Sequence, residues 1–288
     1  MPENTSGYCG GGGLRAEYAR LYERRAGAGD AVARLAEILG VLRGEGGCPW
    51  DMAQTHESIK QCLIEEAYEA KDAIERGDMD NLEEELGDVL LQVVFHGEMA
   101  SEKGLFGLAD IANRVSDKMI RRHPHIFSKE SAKTIDKVIE KWENVKRQEK
   151  GALMHSEILG SIPKALPALT RSFKVQAKAA EAGFDWESVD GAFAKVEEEA
   201  KELLEACAVG DKARLKDELG DLLFSVVNVA RFLKIDPEDA LEGASRKFME
   251  RFAFVESEAY SAGRKLEDMA LCEMDELWEK AKKEGGVK

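Results

Sequence analysis

Apolar residues recur every three to four positions over most of this chain. Val32, Leu35, Leu39 and Leu42 fall on one helical face. The same period predicts helices over Ser58–Arg76, Asn81–Lys103, Leu108–Arg122, Ile135–Lys150, Leu169–Ala182, Asp190–Val209, Leu215–Lys234, Pro237–Tyr260 and Leu266–Lys283. Gly77 and Gly183 stand where C-terminal caps belong, and Asp236 before Pro237 reads as an N-cap with proline at the first helical position. No segment alternates convincingly with period two, so the expected fold class is all-α. Loops are expected at Gly44–Pro49 and at Gly151–Thr170, where Pro163 and Pro167 lie. Leu159, Ile162 and Leu166 should give the second of these something to pack with. Eleven of the 26 glycines precede Trp50, four of them consecutive at Gly10–Gly13, so residues 1–28 are expected to form a flexible Gly-rich arm with at most a fragment of helix near Leu14–Arg25.

The halves of the chain repeat each other. Leu63–Glu69 aligns with Val196–Glu202 at an offset of 133, and Glu85-Leu-Gly-Asp88 aligns with Glu218-Leu-Gly-Asp221 at the same offset. Trp50 and Trp142 are 92 residues apart, as are Trp186 and Trp278. A period this long is no solenoid repeat, so the architecture is expected to be two tandem helical-bundle domains. The first repeat is placed at 29–150, a linker at 151–170 and the second repeat at 171–288. Length agrees, since 288 residues correspond to roughly two domains of about 150.

Charge narrows the partners. With 41 basic and 56 acidic residues the net charge is −15. Duplex nucleic acid and anionic lipid are therefore not expected, because affinity for them comes mainly from Lys and Arg. The longest apolar runs, such as Val89–Phe95, fall far short of the roughly 18 residues that span a bilayer. Residues 1–13 lack the apolar core of a secretory leader. Five scattered cysteines without a CxxC suit a reducing cytoplasm and neither a disulfide framework nor a zinc site.

Each repeat carries E-E-x-x-E, fifteen intervening residues, then E-x-x-D. Glu66 with Glu69, and Glu85 with Asp88, are i, i+3 pairs that project from one helical face. A turn lies between them, at Gly77-Asp78 and again at Gly210-Asp211, so the two acidic helices run antiparallel. Four converging carboxylates repel one another unless a cation sits among them, and oxygen ligands without Cys or His suit Mg²⁺ or Mn²⁺. A single EExxE is ordinarily a solvated face. Duplication argues otherwise, as does the way Asp88 and Asp221 open apolar runs. Gly87 and Gly220, mid-helix at about 1 kcal/mol against alanine, suggest a close helix approach there.

A phosphate ligand on such an ion needs further cations. The next helices supply Lys118, Arg121 and Arg122 in the first repeat, and Lys247 and Arg251 in the second. Trp142 and Trp278 occur in similar Trp-Glu contexts, fit either to stack on a nucleobase or to fill a core. Trp50-Asp51 and Asp185-Trp186 are expected to fix the loops that enter the acidic helices. His123-Pro124-His125 looks like a metal pair, but proline ends the helix there, and termination is the expected role.

Together these segments resemble the MazG family of nucleoside triphosphate pyrophosphohydrolases, from about Val32 to Lys283. The resemblance rests on Gly47–Asp51, both EExxE…ExxD motifs, Lys118–Phe127, Gly183–Trp186 and Lys247–Phe252. It implies the all-α NTP pyrophosphatase fold, a homodimer, and Mg²⁺-dependent cleavage of NTP to NMP and pyrophosphate. In similar two-repeat members the second repeat is credited with catalysis. That assigns Glu199, Glu202, Glu218 and Asp221 to the metal, Lys195, Lys247 and Arg251 to phosphates, and Trp278 to the base. The first-repeat counterparts are Glu66, Glu69, Glu85 and Asp88, with Lys118, Arg121, Arg122 and Trp142. Glu198, or Glu65 in the first repeat, leads its motif beside a ligand and is expected to orient or deprotonate the attacking water. One departure stands out: where relatives carry an Arg pair after the lysine, this chain has Glu250-Arg251. With a single candidate base-stacking tryptophan at each site and no base-reading polar cluster, broad NTP use is expected. The alternatives are a dUTPase-like diphosphatase and a non-catalytic helical scaffold that binds Mg²⁺–nucleotide or a partner protein.

Overall fold

The computed structural model describes residues 15–128 and 154–284, together with 134–135, 137–138, 141–142 and 145. The first half of the arm, residues 1–14, and much of the helix expected over 135–150 lie outside the described residues. Among the described residues there is no strand. No described helix is long and apolar enough to cross a membrane. The chain divides into two compact units, Met1–Glu149 and Lys150–Lys288.

The described part of the first unit opens with a 3₁₀ turn at Ala16–Tyr18 and a single turn, α1 (Ala19–Tyr22), followed by α2 (Ala28–Arg43) and α3 (Pro49–Ala53). Then come the long pair α4 (Lys60–Arg76) and α5 (Met79–Ser101), and finally α6 (Leu108–Arg122) and α7 (Pro124–Phe127). Its core is Leu39 from α2, Ile59 before α4, and Val94, Phe95 and Met99 from α5, with Leu35, Leu42, Cys62, Leu90, Leu91 and Leu108 packed around them. The face anticipated on α2 is thus the one buried. The α4–α5 turn forms because Gly77 adopts φ +68° and caps α4, while the Asp78 carboxylate accepts a hydrogen bond from the Asn81 amide and starts α5. Proline ends α6 as expected, with a new turn beginning at Pro124.

The second unit contains α8 (His155–Gly160), α9 (Ala168–Glu181), α10 (Val189–Val209), α11 (Lys212–Leu233), α12 (Pro237–Ser261) and α13 (Leu271–Glu284). Gly210 at φ +76° and Asp211, whose side chain accepts from the Ala213 amide, repeat the turn of the first unit. Here the interior is more polar, with Gln176, Ser225 and Asn228 buried beside Val227 and Val255. Gln176 Nε2 donates to the Phe224 carbonyl at 2.7 Å, and Arg231 bridges Asn228 Oδ1 (2.8 Å) and both Asp185 oxygens (2.9 and 2.5 Å). That ion pair pins the loop entering α10, the place anticipated for Asp185.

Several expectations fail. Pro49–Ala53 is helical immediately after the glycine loop, because Pro49 supplies a favourable first helical position. The stretch expected as a loop, Gly151–Thr170, holds the short helix α8, although Ile162 just beyond it is buried, as the apolar residues there predict. The helix expected over Leu266–Lys283 is interrupted: a 3₁₀ turn at Leu266–Asp268 precedes α13. Glu273 explains the restart, since its carboxylate accepts from the Ala270 amide (2.9 Å) and from Arg264 (2.7 and 2.9 Å). Those bonds hold its pKa down at about 2, the Arg264 bond contributing most. Finally, Gly87 and Gly220 do not mark a close approach within the unit, because a Cβ at either would meet nothing within 4 Å. A glycine that does so is Gly97, where a Cβ would come within 3.3 Å of Ile111 and of the Leu108 backbone.

One pair distinguishes the first unit. His56 and His96 stack 5° from parallel with centroids 5.1 Å apart and Nδ1 atoms 2.7 Å apart. Only one proton fits between those nitrogens. Burial, and then the charge of His56, lower the His96 pKa from its ordinary 6.5. An imidazole with a lowered folded pKa binds protons more readily in the unfolded chain. Its contribution is complete above pH 6.5 and is lost as pH falls from there through the folded pKa. Melting at about pH 5.5 is therefore expected below that at about pH 7.5. His96→Val, the residue at the equivalent position 229, should flatten the difference, and an unchanged pH dependence in that variant would disprove the assignment.

Candidate active site

The two long helix pairs carry the acidic motifs. In the first unit Glu66 on α4 and Glu85 and Asp88 on α5 each present a carboxylate oxygen, all within 4.8 Å of one another. Glu69 adjoins Glu85, whose charge is the largest cause of its raised pKa and whose side chain shares a hydrogen bond with it. Burial first, and then Asp88, Glu69 and Glu85, raise the pKa of Glu66. In the second unit the corresponding group is Glu199 and Glu202 from α10 with Glu218 from α11, again within 4.8 Å. Burial and then the charges of Glu199 and Glu218 raise the pKa of Glu202. Asp221 is exposed and stands outside the three that converge.

Both clusters are braced by a residue four positions before the first acid of ExxD. Asn81 Nδ2 donates to Glu85 Oε1 at 2.7 Å, and its Oδ1 accepts from Arg76 at 2.6 Å. Arg214 Nε donates to Glu218 Oε1 at 3.2 Å. Residues 81 and 214 are related by the same offset of 133. Sequence reasoning passed over both, although the i, i+4 spacing to an acid was the available signal.

The donor set tests whether a divalent cation belongs here. Carboxylate oxygens alone suit a hard ion, and such an ion relieves the mutual repulsion that, after burial, raises the pKa values of Glu66 and Glu202. Glu199 is the sharper case. It is only 5% exposed, and its Oε2 is buried with no hydrogen-bond partner among the described residues. An unpaired buried carboxylate oxygen is costly, and a cation would satisfy it. The residues fit.

Glu198 and Glu65 are both exposed, and Glu198 Oε1 receives a 3.0 Å bond from Lys195. Lys195 also contacts Glu199 Oε1 at 2.5 Å. The remaining candidates lie on other helices. Lys118, Arg121 and Arg122 are on α6, with the Arg122 guanidinium 5.4 Å from the centre of the Trp142 ring. Lys247 and Arg251 are on α12, with Arg251 5.8 Å from the Trp278 ring. The same cation-over-indole pairing thus occurs in both units. Phe248 adds an aromatic neighbour that the motif reading missed, tilted against Trp278 at 5.0 Å. It is one residue after Lys247, so the helix carries a cation and an aromatic side by side.

Sequence comparison agrees with this geometry. Residues 54–127 and 181–254 each match the MazG nucleotide pyrophosphohydrolase domain, so both matches take in one acidic helix pair. The chain belongs to the MazG family. It is 46% identical over 255 residues to the nucleoside triphosphate pyrophosphohydrolase/pyrophosphatase MazG of Thermotoga maritima, covering 88% of this chain and 97% of that protein. To the nucleoside triphosphate pyrophosphohydrolase of Escherichia coli K12 it is 43% identical over 256 residues, with the same coverage. A mycobacterial relative from Mycolicibacterium smegmatis, also named a nucleoside triphosphate pyrophosphohydrolase, is 37% identical over 58% of this chain and 50% of its own length. Two MazG domains in one chain are thus the repeat that the 133-residue offset reveals.

Proposed function

We propose that this MazG chain hydrolyses nucleoside triphosphates to the monophosphate and pyrophosphate with Mg²⁺ (or Mn²⁺), broadly across bases, as a cytoplasmic nucleotide-pool enzyme. The supporting observation is the convergence of three carboxylates in each repeat, one of them the buried, half-unpaired Glu199. Glu199, Glu202 and Glu218, with Asp221 one turn along, would hold the ion in the second repeat, and Glu66, Glu69, Glu85 and Asp88 in the first. When bound, the ion polarises the α-phosphoryl group and offsets phosphate charge. Lys195, Lys247 and Arg251 bind the remaining phosphate oxygens, and Lys118, Arg121 and Arg122 do so in the first repeat. Trp278, or Trp142, stacks on the base without reading its edge. Glu198, or Glu65, accepts a proton from the attacking water, which positions the oxygen for the α-phosphorus. A reducing compartment is supported by Cys48, Cys62, Cys207 and Cys272, all free thiols.

Incubation with ATP and Mg²⁺, followed by product identification, tests this reading. AMP with pyrophosphate is the expected outcome; orthophosphate or no turnover overturns it, the latter in favour of a binding scaffold. Turnover of dUTP far above the four standard NTPs would instead support a dUTPase-like enzyme and refute broad specificity.

A homodimer belongs to the same proposal. In the second unit Phe193, Leu204, Leu219, Leu223, Phe224 and Met249 are large apolar side chains left exposed on helices that have already packed their other faces. Gathered on one face, such side chains would form an association surface. Sedimentation near twice the chain mass of 31.8 kDa is expected, and a monomer at micromolar concentration would refute it.

A further inference from the structure

The repeats match at their carboxylates and differ at several positions beside them, of which Asn81/Arg214 is one and the residue one turn before EExxE is another. Lys195 lies one turn before Glu198 and Glu199, and its ammonium contacts both, at 3.0 and 2.5 Å. At the offset of 133 the first repeat has Cys62, a neutral side chain packed against the core. The carboxylates of the second repeat therefore carry their own cation, while those of the first have none at this position.

We propose that Lys195 is a built-in counter-ion that competes with the divalent cation for Glu199, so that the second repeat binds the ion more weakly than the first. This rests on the cation reading given under Proposed function. Glu199 has two oxygens in different circumstances: Oε1 is held by Lys195, and Oε2 is buried without a partner. An arriving ion can satisfy Oε2 at once but gains Oε1 only when the ammonium leaves. The released lysine is then available to the phosphates that arrive with the ion. The second repeat is thereby tuned to take ion and nucleotide together, and the first to hold an ion in the absence of nucleotide. Cys62 faces no such exchange, because it offers Glu65 and Glu66 no positive charge.

The test is Mn²⁺ binding to the full chain without nucleotide, read from the loss of the free-ion paramagnetic resonance signal. In a chain whose first cluster is silenced by Glu66→Gln and Asp88→Asn, Lys195→Met should tighten Mn²⁺ binding about tenfold, the loss of a competing ion pair. In a chain silenced instead by Glu202→Gln and Glu218→Gln, Cys62→Lys should weaken it by a similar factor. Circular dichroism confirms that each variant folds. Unchanged or weaker binding in Lys195→Met overturns the proposal and leaves the cation reading intact. Absence of Mn²⁺ binding in the unmutated chain overturns both.

Discussion

Glu202→Ala is expected to lower NTP hydrolysis by about 10²–10³-fold, the scale on which single preorganised charge-stabilising groups act. Glu202 is one of three carboxylates whose oxygens converge within 4.8 Å, and α10 places it one turn from Glu199. Its removal leaves two of the three. The same change relieves repulsion, because the neighbouring acids raise the Glu202 pKa after burial. The ion-free variant should therefore melt no lower than the parent, which separates lost chemistry from lost fold. Glu69→Ala is the companion. Glu69 sits beside Glu85 in the first repeat and outside its three converging acids. If the second repeat carries catalysis, pyrophosphate release by Glu69→Ala stays within about threefold of the parent. Parent rates in both variants would refute the carboxylate assignment altogether.

Leu39→Ala has the largest expected effect on stability. Leu39 is 1% exposed and packs with Ile59, Val94, Phe95 and Met99. Truncating a leucine so enclosed costs about 2–5 kcal/mol, part transfer and part cavity. The rest of the first unit's core is built around the same few side chains, so little is available to collapse into the void. Hydrogen exchange localises the result: amides of α5 should lose protection while those of α11, in the other unit, keep theirs. Leu39→Met, which conserves volume, should cost under about 1.5 kcal/mol. Loss below about 1 kcal/mol in the alanine variant would mean that this cluster is not the centre of the unit.

What could be read from the sequence follows from the range of the interactions involved. The helices over Leu108–Arg122 and Asp190–Val209 were legible because periodicity and caps are local, and the structure reproduces the first without shift and the second to one residue. The duplication and its carboxylates were legible because identical spacing on a helix fixes which side chains share a face. Longer-range questions were not. The place of Gly87 and Gly220 in the motif suggests packing glycines, yet whether a neighbour approaches depends on helices far away in sequence, and Gly97 has that role instead. The break before α13 depends on Glu273 reaching Arg264 nine residues back, which no periodicity encodes. Asn81 and Arg214 were overlooked because each resembles an ordinary polar surface residue until its acid is seen to bear on a ligand.

The turns at Gly77-Asp78 and Gly210-Asp211 set more than the direction of the chain. Between residues 63–88 and 196–221 the halves keep a single offset, so neither copy has gained or lost a residue between its two acidic segments relative to the other. One residue added within α5 before Glu85 would turn the ExxD acids by about 100° and advance them by about 1.5 Å, carrying them off the face they share with α4. Substitutions along these helices are absorbed, as the exchange of Asn81 for Arg214 shows. A change of length is not. Each helix pair thus works as a ruler, and the spacing it keeps, more than any residue between the acids, is what the two copies have in common.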